Sequence, residues 1–296
     1  MKVLITGGAG FIGSHLADEF ANMGYRVTII DNLSTGKKDN INPSIYHWNE
    51  DLNSISVEDL TQILKDVKYV FHLAAKTSVE ESIKNPTLYL KHNLLGMETL
   101  LMACHKANVE KFIFSSSSSI YGDVDSLPTK EEIKPNPKSP YALSKLMGEL
   151  LCKMFSEVYN LNTVSLRYFN VYGERMNEEG SYKLVIPIFT KLLKEGKPLT
   201  ITNDGEQRRD FVYVKDIVRA NILAATLETT EVGGVYNVGN GINYSMNELA
   251  DMLGGEKVYG EKRIEPLATL ASIEKITKDI GWKPQTKLLN WIKLLN

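Results

Sequence analysis

The chain has little of several residues that mark whole classes of protein. Only two of its 296 residues are cysteine, Cys104 and Cys152, and both stand in helix-like apolar stretches. They read as small core residues, which argues against a disulfide scaffold or a cysteine metal cage and suits a reducing compartment. Basic residues are not in excess: 34 Lys and Arg stand against 36 Asp and Glu, for a net charge of −2. Nucleic acid is not expected as a partner, because proteins that bind it carry a clustered positive face. No apolar run approaches membrane-spanning length, and no basic segment followed by an apolar signal stretch precedes the first strand-like residues. The expectation is a cytoplasmic chain with no membrane partner, large enough for one extensive core and a second, smaller lobe.

What is present is concentrated at the start. Lys2 to Thr6 reads as a short buried strand, and Gly7, Gly10 and Gly13 then open a helix whose apolar positions Ile12, Leu16, Phe20 and Met23 recur at helical spacing. A dinucleotide needs such a turn. Glycine permits the tight strand-to-helix reversal, lets backbone approach a pyrophosphate, and lets the helix pack hard on the sheet. The helix N-terminus adds unpaired N–H groups and a partial positive charge. A second strand, Tyr25 to Ile30, ends in Asp31, about where a carboxylate meets the adenosine ribose. That carboxylate accepts from a free 2′-hydroxyl and repels a 2′-phosphate, so NAD is expected rather than NADP. Lys37 and Lys38, beside the polar loop Asp39 to Asn42, read as solvated charges.

Strand and helix signals alternate through the first half. Val67 to Leu73, Lys111 to Phe114 and Thr163 to Tyr168 are strand-like, and Asn93 to Ala107 reads as a long amphipathic helix. The fold class expected is α/β: a Rossmann-type, doubly wound parallel sheet with a smaller α/β substrate lobe. The first domain is placed at 1–172, with 210–232 returning to it, and the interleaved substrate lobe at 173–296. Ligands in such sheets lie beyond the carboxyl ends of the strands, so the residues just after each strand matter most.

Ser139-Pro140-Tyr141-Ala142-Leu143-Ser144-Lys145 carries the chemistry. Ser139 suits an N-cap and Pro140 a first helical position, which puts Tyr141 and Lys145 one turn apart on one face. A phenol with a pKa of about 10 is a poor base at neutral pH. A neighbouring ammonium and a positive nicotinamide ring favour the phenolate. The pair therefore suits proton abstraction from a sugar hydroxyl during hydride transfer to NAD⁺.

These motifs resemble the extended short-chain dehydrogenase/reductases, and within them the NAD-dependent nucleotide-sugar epimerase/dehydratase group. The resemblance runs from TGGAGFIGSH at 6–15 through DNLSTG at 31–36, HLAA at 72–75, SSSSSIYG at 115–122, SPYALSK at 139–145, RYFNVYG at 167–173 and DGEQRRDFVYVKDI at 204–217 to Gly281-Trp282-Lys283-Pro284. It implies that Phe11 and Ile12 sit beside the pyrophosphate, and that Asp31, Asn32, Leu33, Ser34, Thr35 and Gly36 surround the ribose. Asp51 and Leu52 fall on the adenine. Leu73, Ala74 and Ala75, with Lys76 and Thr77, line the nicotinamide side, and Asn93 belongs to the following helix. Ser117 is the catalytic serine, Tyr141 the base and Lys145 its partner. Phe169 borders the nicotinamide, Asn170 the sugar diphosphate, and Arg209 clamps that diphosphate with its planar fork. A second clamp falls on Lys262 or, after a shift of one, on Arg263, whose fork suits the role better. A homodimer through the helices Asn93 to Ala107 and Tyr141 to Tyr159 is also implied.

The residues after Ser117 separate branches of the group. Dehydratases carry a threonine-aspartate-glutamate set there, and the decarboxylating members a glutamate, whereas this chain has Ser118-Ser119-Ile120 and no carboxylate until Asp123. That points to the branch that inverts the 4-position of a UDP-sugar, UDP-glucose and UDP-galactose first, through a transient 4-keto sugar. A 4-epimerase of UDP-N-acetylhexosamine or UDP-uronate is the neighbouring alternative. A non-catalytic NAD-binding sensor is the alternative from another class, since a fold alone does not prove chemistry. Aligning Ala271 and Lys275 with their family counterparts puts Thr269 beside the sugar 2-substituent, where a small residue leaves room for an N-acetyl group; shifted by one, Leu270 takes that place. No metal ligand set is read.

Overall fold

The computed structural model describes residues 1–176, 184–261 and 266–295. The first half runs β1 (Lys2–Thr6), α1 (Phe11–Asn22), β2 (Arg26–Ile30), β3 (Tyr46–Trp48), α2 (Val57–Ile63), β4 (Val67–His72), α3 (Val79–Lys84), α4 (Pro86–Lys106), β5 (Lys111–Ser117), α5 (Pro140–Tyr159) and β6 (Thr163–Tyr168). The second runs β7 (Asn170–Tyr172), α6 (Val185–Lys194), β8 (Leu199–Ile201), β9 (Arg208–Tyr213), α7 (Val214–Thr226), β10 (Gly234–Val238), β11 (Asn243–Ser245), α8 (Met246–Leu253), β12 (Lys257–Tyr259), α9 (Glu274–Ile280) and α10 (Leu288–Ile292).

Seven strands form one sheet in the order β10-β6-β5-β4-β1-β2-β3, and every pairing in it is parallel. The chain winds outward from β1 in both directions, which makes the fold Rossmann-like and opens a crevice at the carboxyl ends of β1 and β4. Both faces are covered, so the strands read as continuous apolar runs rather than alternating ones. Val3, Ile5, Phe71 and Ile113 pack with Leu16 and Phe20 of α1 and Ile217 of α7. On the opposite face Leu4, Val70, Phe112 and Phe114 meet Met97 and Leu100 of α4 and Phe155 of α5. Both cysteines belong to that second cluster, and burial pushes their thiols up, away from reactive thiolate.

Beyond β6 the chain builds a three-stranded sheet, β11-β9-β7, and a two-stranded pair, β12-β8. Tyr172, Phe211, Ile186, Phe189, Leu249 and Trp291 form their core. The lobes interleave: α7 packs against α1, and β10 joins the main sheet beside β6. Thr129 bridges to Ala271, its N–H donating to Leu270 O at 2.7 Å while it accepts from Ser272 N–H at 2.8 Å. No described helix is long and apolar enough to cross a membrane.

Candidate active site

The glycine turn is built as its composition demands. Gly7 has φ +72°, and a Cβ there would lie 2.7 Å from Ala74 N; a Cβ on Gly13 would lie 2.2 Å from Gly7 O. Gly10 is the N-cap of α1 and supplies no side-chain cap, so the first turn of the helix keeps N–H groups for a ligand. Asp31 closes the turn from the end of β2. Its Oδ2 accepts from Ala9 N–H at 2.9 Å and its Oδ1 from Leu33 N–H at 2.8 Å. Each carboxylate oxygen has a further lone pair for a ribose hydroxyl. Gly36 is equally constrained, for a Cβ there would sit 2.9 Å from Asp31 Oδ1, while Ser34 N–H donates to Asn32 Oδ1 at 3.0 Å. Asp51 receives Asn53 N–H at 2.9 Å and Asn32 Nδ2 at 3.0 Å. Burial alone would raise its pKa, but these bonds overcome that and hold the carboxyl below its ordinary value. Leu52 beside it is buried.

Leu73, Ala74 and Ala75 follow β4, with Leu73 N–H donating to Thr6 O at 3.1 Å and Ala74 N–H to Thr6 Oγ1 at 3.3 Å. Asn93 clamps this segment from α4: it accepts from Lys76 N–H at 2.8 Å and donates to Lys76 O at 3.1 Å and Ser144 Oγ at 3.0 Å. Those bonds ties the β4 loop to the helix that carries Tyr141. Ser139 caps that helix, accepting from Ala142 N–H at 3.1 Å, and Pro140 starts it.

Lys145 is buried and donates from Nζ to Ser115 O at 2.6 Å. Nζ also lies 5.0 Å from the centre of the Phe114 ring and 6.0 Å from that of Tyr141. Burial lowers its pKa to about 8, and the charge of Glu149 works in the other direction. Ser117 ends β5 and accepts from Ser119 N–H at 3.2 Å. The Ser119 hydroxyl is buried and has no partner among the described residues. His72, stacked on Phe114 and sharing a 2.8 Å hydrogen bond with Thr6, is held neutral because burial lowers its pKa to about 3. A cation there would compete with Lys145.

Phe169 is buried after β6, its N–H donating to Val238 O at 3.0 Å. Asn170 donates to Asp210 O at 3.1 Å and to Thr269 Oγ1 at 3.5 Å, and Arg209 Nη1 donates to Pro266 O at 2.8 Å. Thr269 N–H in turn donates to Arg208 O at 3.0 Å. Asn170 and Arg209, expected on the sugar diphosphate, and Thr269, expected beside the sugar 2-substituent, therefore meet along β9. Lys262 and Arg263 lie outside the described residues. Three neighbours receive no role from the motifs: Asp210 and Arg167, which lie inside them, and Glu149, which lies beyond. Asp210 accepts from Asn240, Gly241 and Ala271 N–H groups, and burial still pushes it up to about 6. Glu149 stood one turn beyond Lys145, and Arg167 was the charge inside an apolar strand; those were the available signals. No group of three or more metal-ligating residues exists among the described residues.

The model of the NAD-dependent epimerase/dehydratase family matches residues 3–239. A putative UDP-glucose 4-epimerase of Methanocaldococcus jannaschii is 37% identical, over 98% of this chain and 98% of its own. The crystal structure of a UDP-glucose 4-epimerase from Thermotoga maritima with UDP-glucose superposes with a TM-score of 0.94 at 38% identity, covering 100% of this chain and 97% of that one. A UDP-N-acetylglucosamine 4-epimerase from Methanobrevibacter ruminantium, in complex with UDP-N-acetylmuramic acid, does so with a TM-score of 0.93 at 40% identity, covering 99% and 96%. The glycine cradle, the uncapped helix start and the spare lone pairs of Asp31 fit a dinucleotide. The chain belongs to the NAD-dependent epimerase/dehydratase family, and NAD is its cofactor.

Proposed function

We propose that the protein inverts the 4-hydroxyl of a UDP-hexose, interconverting the glucose and galactose forms. The observation that carries this reading is the bond from Lys145 Nζ to Ser115 O, which docks the helix bearing Tyr141 onto β5 two residues before Ser117, with serine and not a carboxylate at 118 and 119. Bound NAD supplies a hydride acceptor that also returns the hydride, so the reaction needs no second substrate. Tyr141 takes the 4-hydroxyl proton, the Lys145 ammonium stabilises its phenolate, and the Ser117 hydroxyl orients the reacting oxygen. Asn170 and Arg209 hold the diphosphate while the sugar presents its other face. Purified protein given UDP-galactose alone should form UDP-glucose. Retained NAD with no turnover of any nucleotide sugar would favour a sensor.

The reading extends to N-acetylated sugars through Thr269. Its hydroxyl accepts from Asp210 N–H at 3.3 Å, so the small side chain folds toward β9. A wall that does not intrude leaves the larger 2-substituent unstrained. UDP-N-acetylglucosamine should therefore be epimerised alongside UDP-glucose, and Thr269→Tyr should cut the N-acetyl sugar's kcat/KM by more than about tenfold relative to UDP-galactose. Side-by-side assays of both sugars decide it, and an unmodified enzyme inert toward the N-acetyl sugar sinks the assignment.

We also propose a homodimer. Leu95 on α4 and Leu143, Met147, Leu150 and Val158 on α5 are exposed, and α4 packs against α5, giving an apolar surface suited to a second copy. Sedimentation should show a dimer that Leu150→Glu converts to monomer; a monomer at every concentration would remove this part of the reading.

A further inference from the structure

Glu149 and Arg167 form the one ion pair among the described residues in which both side chains are buried. Arg167 donates from Nε to Glu149 Oε1 at 2.9 Å and from Nη2 to Oε2 at 2.7 Å. Its Nη1 donates to Tyr121 Oη at 2.7 Å and to Glu131 O at 3.1 Å. The Ser116 hydroxyl donates to Glu149 Oε1. Tyr121 Oη donates to Asn237 Oδ1 at 2.7 Å, and Asn237 Nδ2 donates to Thr129 O at 2.9 Å. Burying two charges is costly, and apolar side chains of similar volume would serve packing as well. The location of the pair is what sets it apart. Glu149 lies one helical turn beyond Lys145 on the same face of α5. Its partner Ser116 stands between Ser115, whose carbonyl accepts from Lys145, and Ser117.

We propose that the Glu149–Arg167 pair is a positioning unit for the catalytic base: Glu149 keeps Lys145 in its ammonium form and, through Ser116, fixes the end of β5 that presents Ser117, while Arg167 limits the reach of the Glu149 charge. The groups that face Lys145 are Tyr141 and Glu149 from α5, His72 from β4, Phe114 and Ser115 from β5, and Arg167 from β6 behind Glu149. Of the other helices packed on α5, α3 carries Glu80, Glu81 and Lys84, and α4 carries Lys91, His92, Glu98, His105 and Lys106. Since burial has already drawn Lys145 down to about 8, a modest electrostatic change moves its titration through the working pH range.

Two opposite charges removed singly must act in opposite directions. In NAD-loaded protein with isotope-labelled lysine, the Lys145 signal, assigned by its loss in Lys145→Met, is titrated by NMR. Glu149→Gln should lower the midpoint by about one pH unit, the effect of losing a nearby negative charge. Arg167→Gln should raise it, and Glu149→Gln/Arg167→Gln should return it close to the starting value. Only the kinetic arm rests on the epimerase reading: the alkaline fall of kcat with UDP-galactose should follow the same two opposite shifts. A merely structural role lowers the yield of folded protein without moving the midpoint. Midpoints that stay put, or that move the same way in both single variants, overturn the proposal. If Glu149→Gln does not fold, an unraised midpoint in Arg167→Gln overturns it alone. Shifted midpoints in protein that turns over no UDP-sugar would remove the epimerase reading and leave this one standing.

Discussion

Tyr141→Phe should cost about 10²–10⁴-fold in kcat, the range over which a positioned acid–base group contributes. The change deletes one oxygen and keeps the ring, so the packing of this buried residue and the NAD content of the purified protein should be unchanged. The direction follows from the chemistry of the pair. A phenol of ordinary pKa is almost wholly protonated at neutral pH, and only a cation fixed nearby makes the phenolate accessible. The fixing is visible in the 2.6 Å bond from Lys145 Nζ to Ser115 O and in the 6.0 Å separation of Nζ from the Tyr141 ring. Ser117→Ala should cost less, because it removes a hydrogen bond and leaves the base. Initial rates on UDP-galactose, with bound NAD measured in the same samples, test the assignment. Near-normal turnover by the phenylalanine variant would mean another group takes the proton; should the alanine variant be silent, Ser118 is the next hydroxyl to replace.

Gly13→Ala should empty the cofactor site. Within a helix, alanine is ordinarily better than glycine by roughly 0.5–1 kcal/mol, so the substitution would stabilise α1 if there were room. There is none: the new methyl would lie 2.2 Å from Gly7 O and 2.9 Å from Gly7 C. Backbone cannot rotate aside as a flexible side chain does, so α1 must move off the turn or the turn must open. Overpacking of this kind costs about 1–3 kcal/mol, and it displaces the N–H groups on which a pyrophosphate depends. Protein purified from this variant should carry little NAD and unfold at lower temperature. Retention of stoichiometric NAD would show that the close approach of turn and helix is not what admits the dinucleotide.

Local pattern revealed most of the sheet and supplied the residues proposed for the chemistry. The strand over Lys2–Thr6 and the one over Thr163–Tyr168 coincide with their apolar runs, because each is covered on both faces and tolerates little else. Helix α4 begins at Pro86, well before the amphipathic stretch from Asn93. Its first turns pack on α3 and need no long apolar stripe, so periodicity there is faint. The glycines that bound Gly234–Val238 read as loop punctuation, yet β10 joins the main sheet. Strand order is a long-range property, and five residues between turns carry no record of it. The same holds for Arg167. A strand pattern identifies it as a buried charge, but its partner on α5 is fixed only when the helix docks. Asn93 and Asp31 stand out in the sequence as candidate residues, whereas their bonds to Lys76 and Ala9 required the folded loops.

The position of β10 bears on how such an enzyme can change. All six residues of β6 are buried, and its outer hydrogen-bonding edge is covered by a strand that the chain makes only after β7, β8 and β9 of the second lobe. A segment cut at the end of β6 would present that edge bare, an open template for pairing with other chains. The two halves are therefore not exchangeable parts, and a new sugar preference cannot arrive by swapping one half for another. On the reading proposed above, it would come from single replacements in the stretch from Pro266 to Ala271, which is anchored at Thr129 and Arg208 and leaves every strand of the main sheet in place.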